Sequence, residues 1–247
     1  MAIKLLVSPI SIKEVELVLT EPPDIIDIKN PAEGSLGANF PWVISDARKK
    51  IDEYNSKSSG SEIKLSAAIG DFPDLPGSAS LAALGAAFSG ANYVKIGLMG
   101  PTEEETAMQM AKTVVKSVKD HDSAVKVVIA GYGDSRTINA SVDPMLIPRI
   151  TAHAGADVAM LDTAVKNGRS IFEHLTEKQL RSFAKNCTEL GLESALAGSL
   201  KLSDLEQLKS INPTIIGVRS MVCENFDREK GEIKPESIKK IKAKLRL

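Results

Sequence analysis

The sequence has little of several things that would have placed it quickly. It holds two cysteines and one tryptophan in 247 residues, and aromatic side chains make up only 4%. Cys187 and Cys223 fall in no Cys-x-x-Cys or Cys/His spacing, which excludes a disulfide scaffold and a zinc module. Two reduced thiols in a cytoplasmic protein are expected instead. An excess of either charge is also missing: 31 basic residues face 32 acidic ones, for a formal charge of −1. A dedicated nucleic-acid binder would need a positive field, so that class is set aside. No apolar run approaches the roughly 18 residues that cross a bilayer, so no membrane partner is expected. The opening MAIKLLVSPI reaches Pro9 and then charge after a few apolar residues, unlike a secretory signal. No Gly-x-Gly-x-x-Gly follows the first strand candidate and no Gly-x-Ser-x-Gly elbow occurs, against a dinucleotide-binding sheet and a serine hydrolase. No His/Asp/Glu cluster has metal-ligand spacing, so a metal site is not expected.

What is present is a repeated strand-then-helix pattern. Hydrophobic residues are 43% and charged residues 26%, ordinary for a folded chain. Eight β-rich runs are found: 3–8, 24–29, 64–70, 93–98, 126–132, 157–162, 193–199 and 214–220. Helix-compatible segments begin near Ser11, Pro41, Ser78, Thr102, Pro144, Thr176, Ser203 and Pro235, most with a capping residue or a first-turn proline. Ser11–Glu14 and Thr102–Glu105 have capping-box spacing. Ser-Gly-Ala-Asn at 89–92 and Ala-Gly-Ala-Asp at 154–157 put a glycine where a helix should end. Alternating strands and helices imply parallel pairing, because a parallel connection needs a crossover. Eight units in a chain of this length predict an α/β fold, one (β/α)8 TIM barrel over 1–247. The polar stretch Asn55–Glu62 reads as a loop entering the third strand. The tail from Lys234 alternates lysines with Ile238, Ile241, Leu245 and Leu247, the pattern of an amphipathic closing helix.

In such barrels the chemistry lies at the carboxyl ends of the strands. Side chains alternate between the interior and the helix layer. In the second strand Ile26 and Ile28 suit the helix layer, which turns Asp27 and Lys29 inward. The same parity turns Lys95 inward on the fourth strand. It groups Asp162 with Val158 and Met160 on the sixth, and Lys166 follows four residues later in the loop. An interior lysine is costly without a partner. Each could simply be a salt-bridged structural residue, but three lysines and two aspartates on one rim point to a site. Neighbouring cations and burial disfavour the ammonium form, so one lysine can be a free amine near neutral pH and attack a carbonyl. The aspartates would then move protons. The loops after the seventh and eighth strands, with Gly198, Ser199, Gly217, Arg219 and Ser220, form the expected phosphate corner. His121, His153 and His174 lie away from the strand tips and read as structural or exposed.

The segments LLVSPI (5–10), DIIDIKNPAEGSLGANFPW (24–42), YVKIGL (93–98), DVAMLDTAVKNG (157–168), ALAGS (195–199) and GVRS (217–220) resemble the (5-formylfuran-3-yl)methyl phosphate synthase family. The resemblance implies condensation of two glyceraldehyde 3-phosphate molecules into a furan aldehyde phosphate, with loss of one phosphate and two waters. This is an early step of methanofuran biosynthesis. It implies a lysine Schiff base and no metal or organic cofactor. By motif the imine-forming residue would be Lys29, with Asp27, Lys95, Asp162 and Lys166 as its companions. After Arg219 the chain reads Ser-Met-Val-Cys-Glu-Asn-Phe-Asp-Arg, where the family is richer in small residues, so Met221 and Glu224 leave the loop 220–231 without an assigned role. Two other readings share these residues: a class I aldolase acting on a phosphorylated sugar, and a barrel that only binds a phosphometabolite. The partner expected is a triose phosphate, and barrels of this size commonly form homo-oligomers.

Overall fold

The structure is a computed structural model that describes residues 2–228 and 230–246. Eight parallel strands close on themselves in sequence order: β1 (Lys4–Val7), β2 (Ile25–Ile28), β3 (Lys64–Asp71), β4 (Tyr93–Gly97), β5 (Lys126–Tyr132), β6 (Val158–Asp162), β7 (Glu193–Leu196) and β8 (Ile215–Val218). Closure is made by β1 pairing with β8, Val7 opposite Val218. This is the (β/α)8 barrel that the alternation implies.

Helices α1 (Ile12–Leu19), α2 (Pro41–Lys57), α3 (Pro76–Phe88) and α4 (Glu104–His121) cover the first half. The short α5 (Ser135–Ile138), α6 (Ile147–Ala154), α7 (Glu177–Glu189), α8 (Leu205–Ile211) and α9 (Pro235–Arg246) follow. Two buried apolar layers result. One lies between strands and helices and includes Ile26, Ile28, Val94 and Ile96. The other fills the barrel and includes Leu6, Ile25, Tyr93, Val158 and Met160. The period-2 assignment of faces therefore holds on β2, β4 and β6.

Several local signals act as expected. The Ser11 hydroxyl accepts from the Glu14 amide at 3.3 Å and caps α1. Gly90 and Gly155 take left-handed φ of +98° and +75° where α3 and α6 end. Ile238 and Ile241 of α9 are fully buried, while Leu247 lies outside the described residues. Other boundaries differ. Thr102 caps nothing, since α4 begins at Glu104 with Glu103 as its N-cap and no side-chain cap bond. Its acidic first turn, Glu104 and Glu105, favours the helix N-terminus without one. Proline at the first helical position sets α3 to start at Pro76 rather than Ser78. A 3-10 turn, Leu202–Asp204, precedes α8. Helix α2 continues through Asn55–Lys57, so the polar loop into β3 is shorter than its composition suggested. Strands β7 and β8 stop at Leu196 and Val218, which leaves Ala197–Ser199 and Arg219 outside the strands, with Ser220 opening a 3-10 turn (Ser220–Val222).

Candidate active site

Asp27 lies in the floor of the barrel mouth. Its carboxylate accepts from Lys95 Nζ at 2.7 Å, Ser66 Oγ at 2.7 Å and Ser8 Oγ at 3.0 Å. The strand register explains the cluster: Asp27 pairs with Ser66 across β2–β3, and Lys95 sits opposite the small Ala68. Burial alone would raise the Asp27 carboxyl, but Lys95 and then Lys29 outweigh it and hold it below the usual carboxylate range. Both partners of the pair are essentially sealed from solvent. Asp27 does not line the open cavity; it supports Lys95, which does.

Above this floor, β6 ends in a second pair. Lys166 Nζ donates to Asp162 Oδ1 at 2.5 Å, and the Thr163 amide donates to the same oxygen at 2.7 Å. Burial opposes ionisation of Asp162, yet Lys166 and Lys29 bring its carboxyl down to about 2. Lys29 stands between the two pairs and is 5% exposed. Among the described residues its Nζ makes no hydrogen bond or ion pair, whereas Lys95 and Lys166 are each matched to an aspartate. Burial is the main cause that brings the Lys29 amine down to about 7. Asp162 and Asp27 oppose the shift, and Lys95 and Lys166 add to it. A buried, unpaired amine that is half deprotonated near neutrality can attack a carbonyl carbon.

The backbone around this centre is braced. Ser35 Oγ, in the loop after β2, donates to Thr163 O at 2.9 Å and ties that loop to the one after β6. Asp134 accepts from the Ala164 and Val165 amides at 2.8 Å each, fixing the turn that carries Lys166.

The glycine-rich corner lines the same cavity. Gly198, Ser199, Gly217, Arg219 and Ser220 all face it, together with Lys29, Lys95, Asp162 and Lys166. Gly198 and Ser199 take consecutive positive φ of +100° and +47°, and a Cβ on Gly198 would lie 2.9 Å from Thr163 Cγ2. Glycine is required there by both conformation and space. Arg219 is held differently from a simple anion donor. Its guanidinium bonds Glu14 through Nη1 at 2.8 Å and Nη2 at 3.2 Å, Ser8 O at 2.8 Å, and Arg228 O at 2.8 Å through Nε. Its charge is matched inside the fold, with Arg219 and Glu14 side chains 4% and 13% exposed. Ser8 and Ser220 flank it, and Arg228, from the loop with no assigned role, also reaches the cavity.

One further pair was missed by the sequence reading. Tyr132 Oη donates to Asp71 Oδ1 at 2.6 Å, and the Met99 amide donates to the same oxygen at 3.1 Å. Burial, with Asp162 nearby, raises the Asp71 carboxyl, against the lowering effect of the Tyr132 and Met99 bonds. Asp71 lies past Gly70, which has φ +100° inside a register shift between β3 and β4. A glycine there looked like the end of a strand; it is the bulge that turns Asp71 toward the mouth. Of the three histidines, His121 and His153 are exposed, and His174 follows a 3-10 turn (Ile171–Glu173) beside Asp134 in a separate polar cleft.

Residues 5–242 match the model of the 4-HFC-P synthase family. The chain belongs to this family. Relatives named (5-formylfuran-3-yl)methyl phosphate synthase include one from Archaeoglobus fulgidus, 50% identical over 238 residues and covering 96% of this chain and 97% of the relative. One from Methanosarcina barkeri is 48% identical over 240 residues, 97% of this chain and 98% of the relative. One from Methanocaldococcus jannaschii is 45% identical over 238 residues, 96% and 97%. Among solved structures, 3-hexulose-6-phosphate synthase superposes with a TM-score of 0.67 at 16% identity, covering 98% of this chain and 99% of that one. KGPDC from Streptococcus mutans gives 0.63 at 14% identity, covering 100% and 98%. At those identities the structural likeness speaks to the barrel alone, while the family match makes this chain a 4-HFC-P synthase homologue and an enzyme.

Proposed function

We propose that the enzyme condenses two glyceraldehyde 3-phosphate molecules into (5-formylfuran-3-yl)methyl phosphate, an early step of methanofuran biosynthesis, through a Schiff base on Lys29. The observation that carries this reading is the Lys29 amine, buried and without a partner among the described residues, between two lysine–aspartate pairs, with its pKa brought to about 7. Lys29 attacks the aldehyde carbon of one triose phosphate, and water leaves to give the imine. An aspartate takes a proton from the adjacent carbon, and the resulting enamine attacks the aldehyde of the second triose. The ammonium of Lys166 or Lys95 stabilises the oxyanion that forms. Loss of one phosphate, ring closure and dehydration then give the furan. Counting the imine water as returned on hydrolysis, two C3 aldehyde phosphates yield one C6 furan phosphate, one phosphate and two waters. Asp162, which lines the cavity, is the better placed proton carrier. Asp27 acts by holding Lys95. Gly198 and Ser199 amides, with Ser220, cradle the retained phosphate, and Arg219 sets the shape of that corner. Two buried thiols, with Cys187 pushed up to about 12 by burial and Cys223 also raised, fit a reducing cytoplasm.

The test is formation of the furan from glyceraldehyde 3-phosphate, read by its ultraviolet absorption. Lys29→Ala should lower turnover by about 10³-fold or more. A linear aldol product would move the assignment to another imine-forming aldolase, and near-normal turnover of Lys29→Ala would refute the role of Lys29.

A further inference from the structure

A second and larger cleft, open to solvent, adjoins the catalytic cavity. Lys166, Ser199, Ser220 and Arg228 line both, so the two share a wall beside the reacting centre. The far side is made by Lys201, Leu202 and Phe226. Among the described residues the lining carries Lys166, Lys201 and Arg228 and no carboxylate, with the apolar side chains of Leu202 and Phe226 between them. Lys201 Nζ meets Glu173 Oε1 at 3.0 Å, but both side chains are half-exposed, and such a pair is weak enough to be exchanged for an incoming anion.

The loop that supplies Phe226 and Arg228 is built for a fixed shape. Asn225 and Phe226 take consecutive left-handed φ of +54° and +58°. A phenylalanine rarely adopts that conformation, and such strain gathers at ligand clamps. The loop is pinned on both sides: Arg219 Nε donates to Arg228 O at 2.8 Å, and the Lys234 amide donates to Val222 O at 2.8 Å. A Cβ on Gly231 would lie 2.4 Å from both Asp227 O and Glu224 O, so the turn closes tightly. The strained backbone leaves Phe226 51% exposed at the cavity wall, an apolar ring with no core to fill.

We propose that this second cavity binds the second aldehyde phosphate. Lys201 and Arg228 hold its phosphate, Phe226 and Leu202 cover its carbon chain, and its carbonyl end points across the shared wall to Lys166 and Lys29. This assignment rests on the reading of Lys29 as the imine-forming residue, which fixes the first molecule in the catalytic cavity.

Two readouts separate the sites. Borohydride trapping against glyceraldehyde 3-phosphate concentration reports the first molecule, and furan formation reports both. In Lys201→Met and Phe226→Ala the half-saturation of trapping should stay within twofold of the parent. The concentration giving half-maximal condensation should rise tenfold or more. Unchanged condensation, or a parallel rise in both readouts, would overturn the proposal. If the parent enzyme gave no trapped adduct, the imine reading would fall, and the cavity would be judged by calorimetry with inorganic phosphate. Two phosphates bound per chain in the parent and one in Lys201→Met would uphold an anion site there. One in both would reject it. Both substituted residues are solvent-exposed, so melting temperatures should move by about 2 °C or less.

Discussion

Among single residues, three lysines and two aspartates share charge at the barrel mouth. Lys29 is brought to about 7 by burial first, with Lys95 and Lys166 adding to the shift and Asp162 and Asp27 opposing it. The folded chain therefore binds fewer protons at this group than the unfolded chain between about pH 7 and the ordinary lysine value of 10.5, and its contribution to stability rises with pH across that window. Imine formation follows the free amine and should climb with pH through about 7, read as the initial rate of borohydride trapping. Two substitutions should move that midpoint in opposite directions. Lys166→Met removes a like charge and leaves Asp162 facing Lys29, so the midpoint rises. Asp162→Asn removes the acid that favours the ammonium, so it falls. Movement of both in the same direction would contradict the charge assignment. The sealed Lys95–Asp27 pair bears on stability. Lys95→Met leaves a sealed carboxylate without its partner and should cost about 3–5 kcal/mol. On a chain of this size that is a fall of about 6–20 °C in Tm by calorimetry. The double variant with Asp27→Asn should recover part of the loss.

At the scale of elements, the mouth of the barrel depends on places where the backbone departs from regularity. The bulge at Gly70 sends Asp71 toward Tyr132, and Gly97 on β4 leaves room for the pair. A Cβ at residue 97 would stand 2.0 Å from Asp71 Oδ1 and 2.4 Å from Tyr132 Oη. Gly97→Ala should destabilise by about 1–3 kcal/mol in urea unfolding and reduce turnover. Gly85→Ala, within α3 and facing open space, should instead stabilise by about 0.5–1 kcal/mol. The same irregularities mark where reading the sequence fell short. Strand parity identified Asp27, Lys29, Lys95 and Asp162 as inward because a two-residue period needs no knowledge of neighbours. Asp71 was hidden because a glycine in a strand signals either an end or a bulge, and only the β4 register distinguishes them. Arg219 could be placed near the corner by its position after β8. Its match to Glu14 joins residues 205 positions apart, and no local pattern encodes that. Thr102 had the right spacing for a cap but lay two residues short of the helix.

At the scale of the molecule, the closed barrel converts eight separate strand ends into one rim. Asp27 and Lys29 come from β2 and its loop, Lys95 from β4, Asp162 and Lys166 from β6 and its loop, and the glycine corner from β7 and β8. The architecture was readable because eight strand–helix units repeat, and the glycines that end α3 and α6 announce the turns. The second cavity was not readable, since it arises where the strained loop after β8 meets the 3-10 turn before α8. The Glu14–Arg219 pair ties the first helix to the segment that follows β8. Glu14→Ala should leave the Arg219 guanidinium unmatched, cost about 3–5 kcal/mol, and distort the phosphate corner enough to raise KM.

Borohydride reduction of the enzyme in the presence of glyceraldehyde 3-phosphate, followed by intact-protein and peptide mass spectrometry, tests the Lys29 imine directly. One reduced adduct per chain is expected, on the peptide containing Lys29, and none in Lys29→Ala. A folded enzyme that forms the furan without an adduct, or carries the adduct on Lys95 or Lys166, would contradict the Lys29 imine.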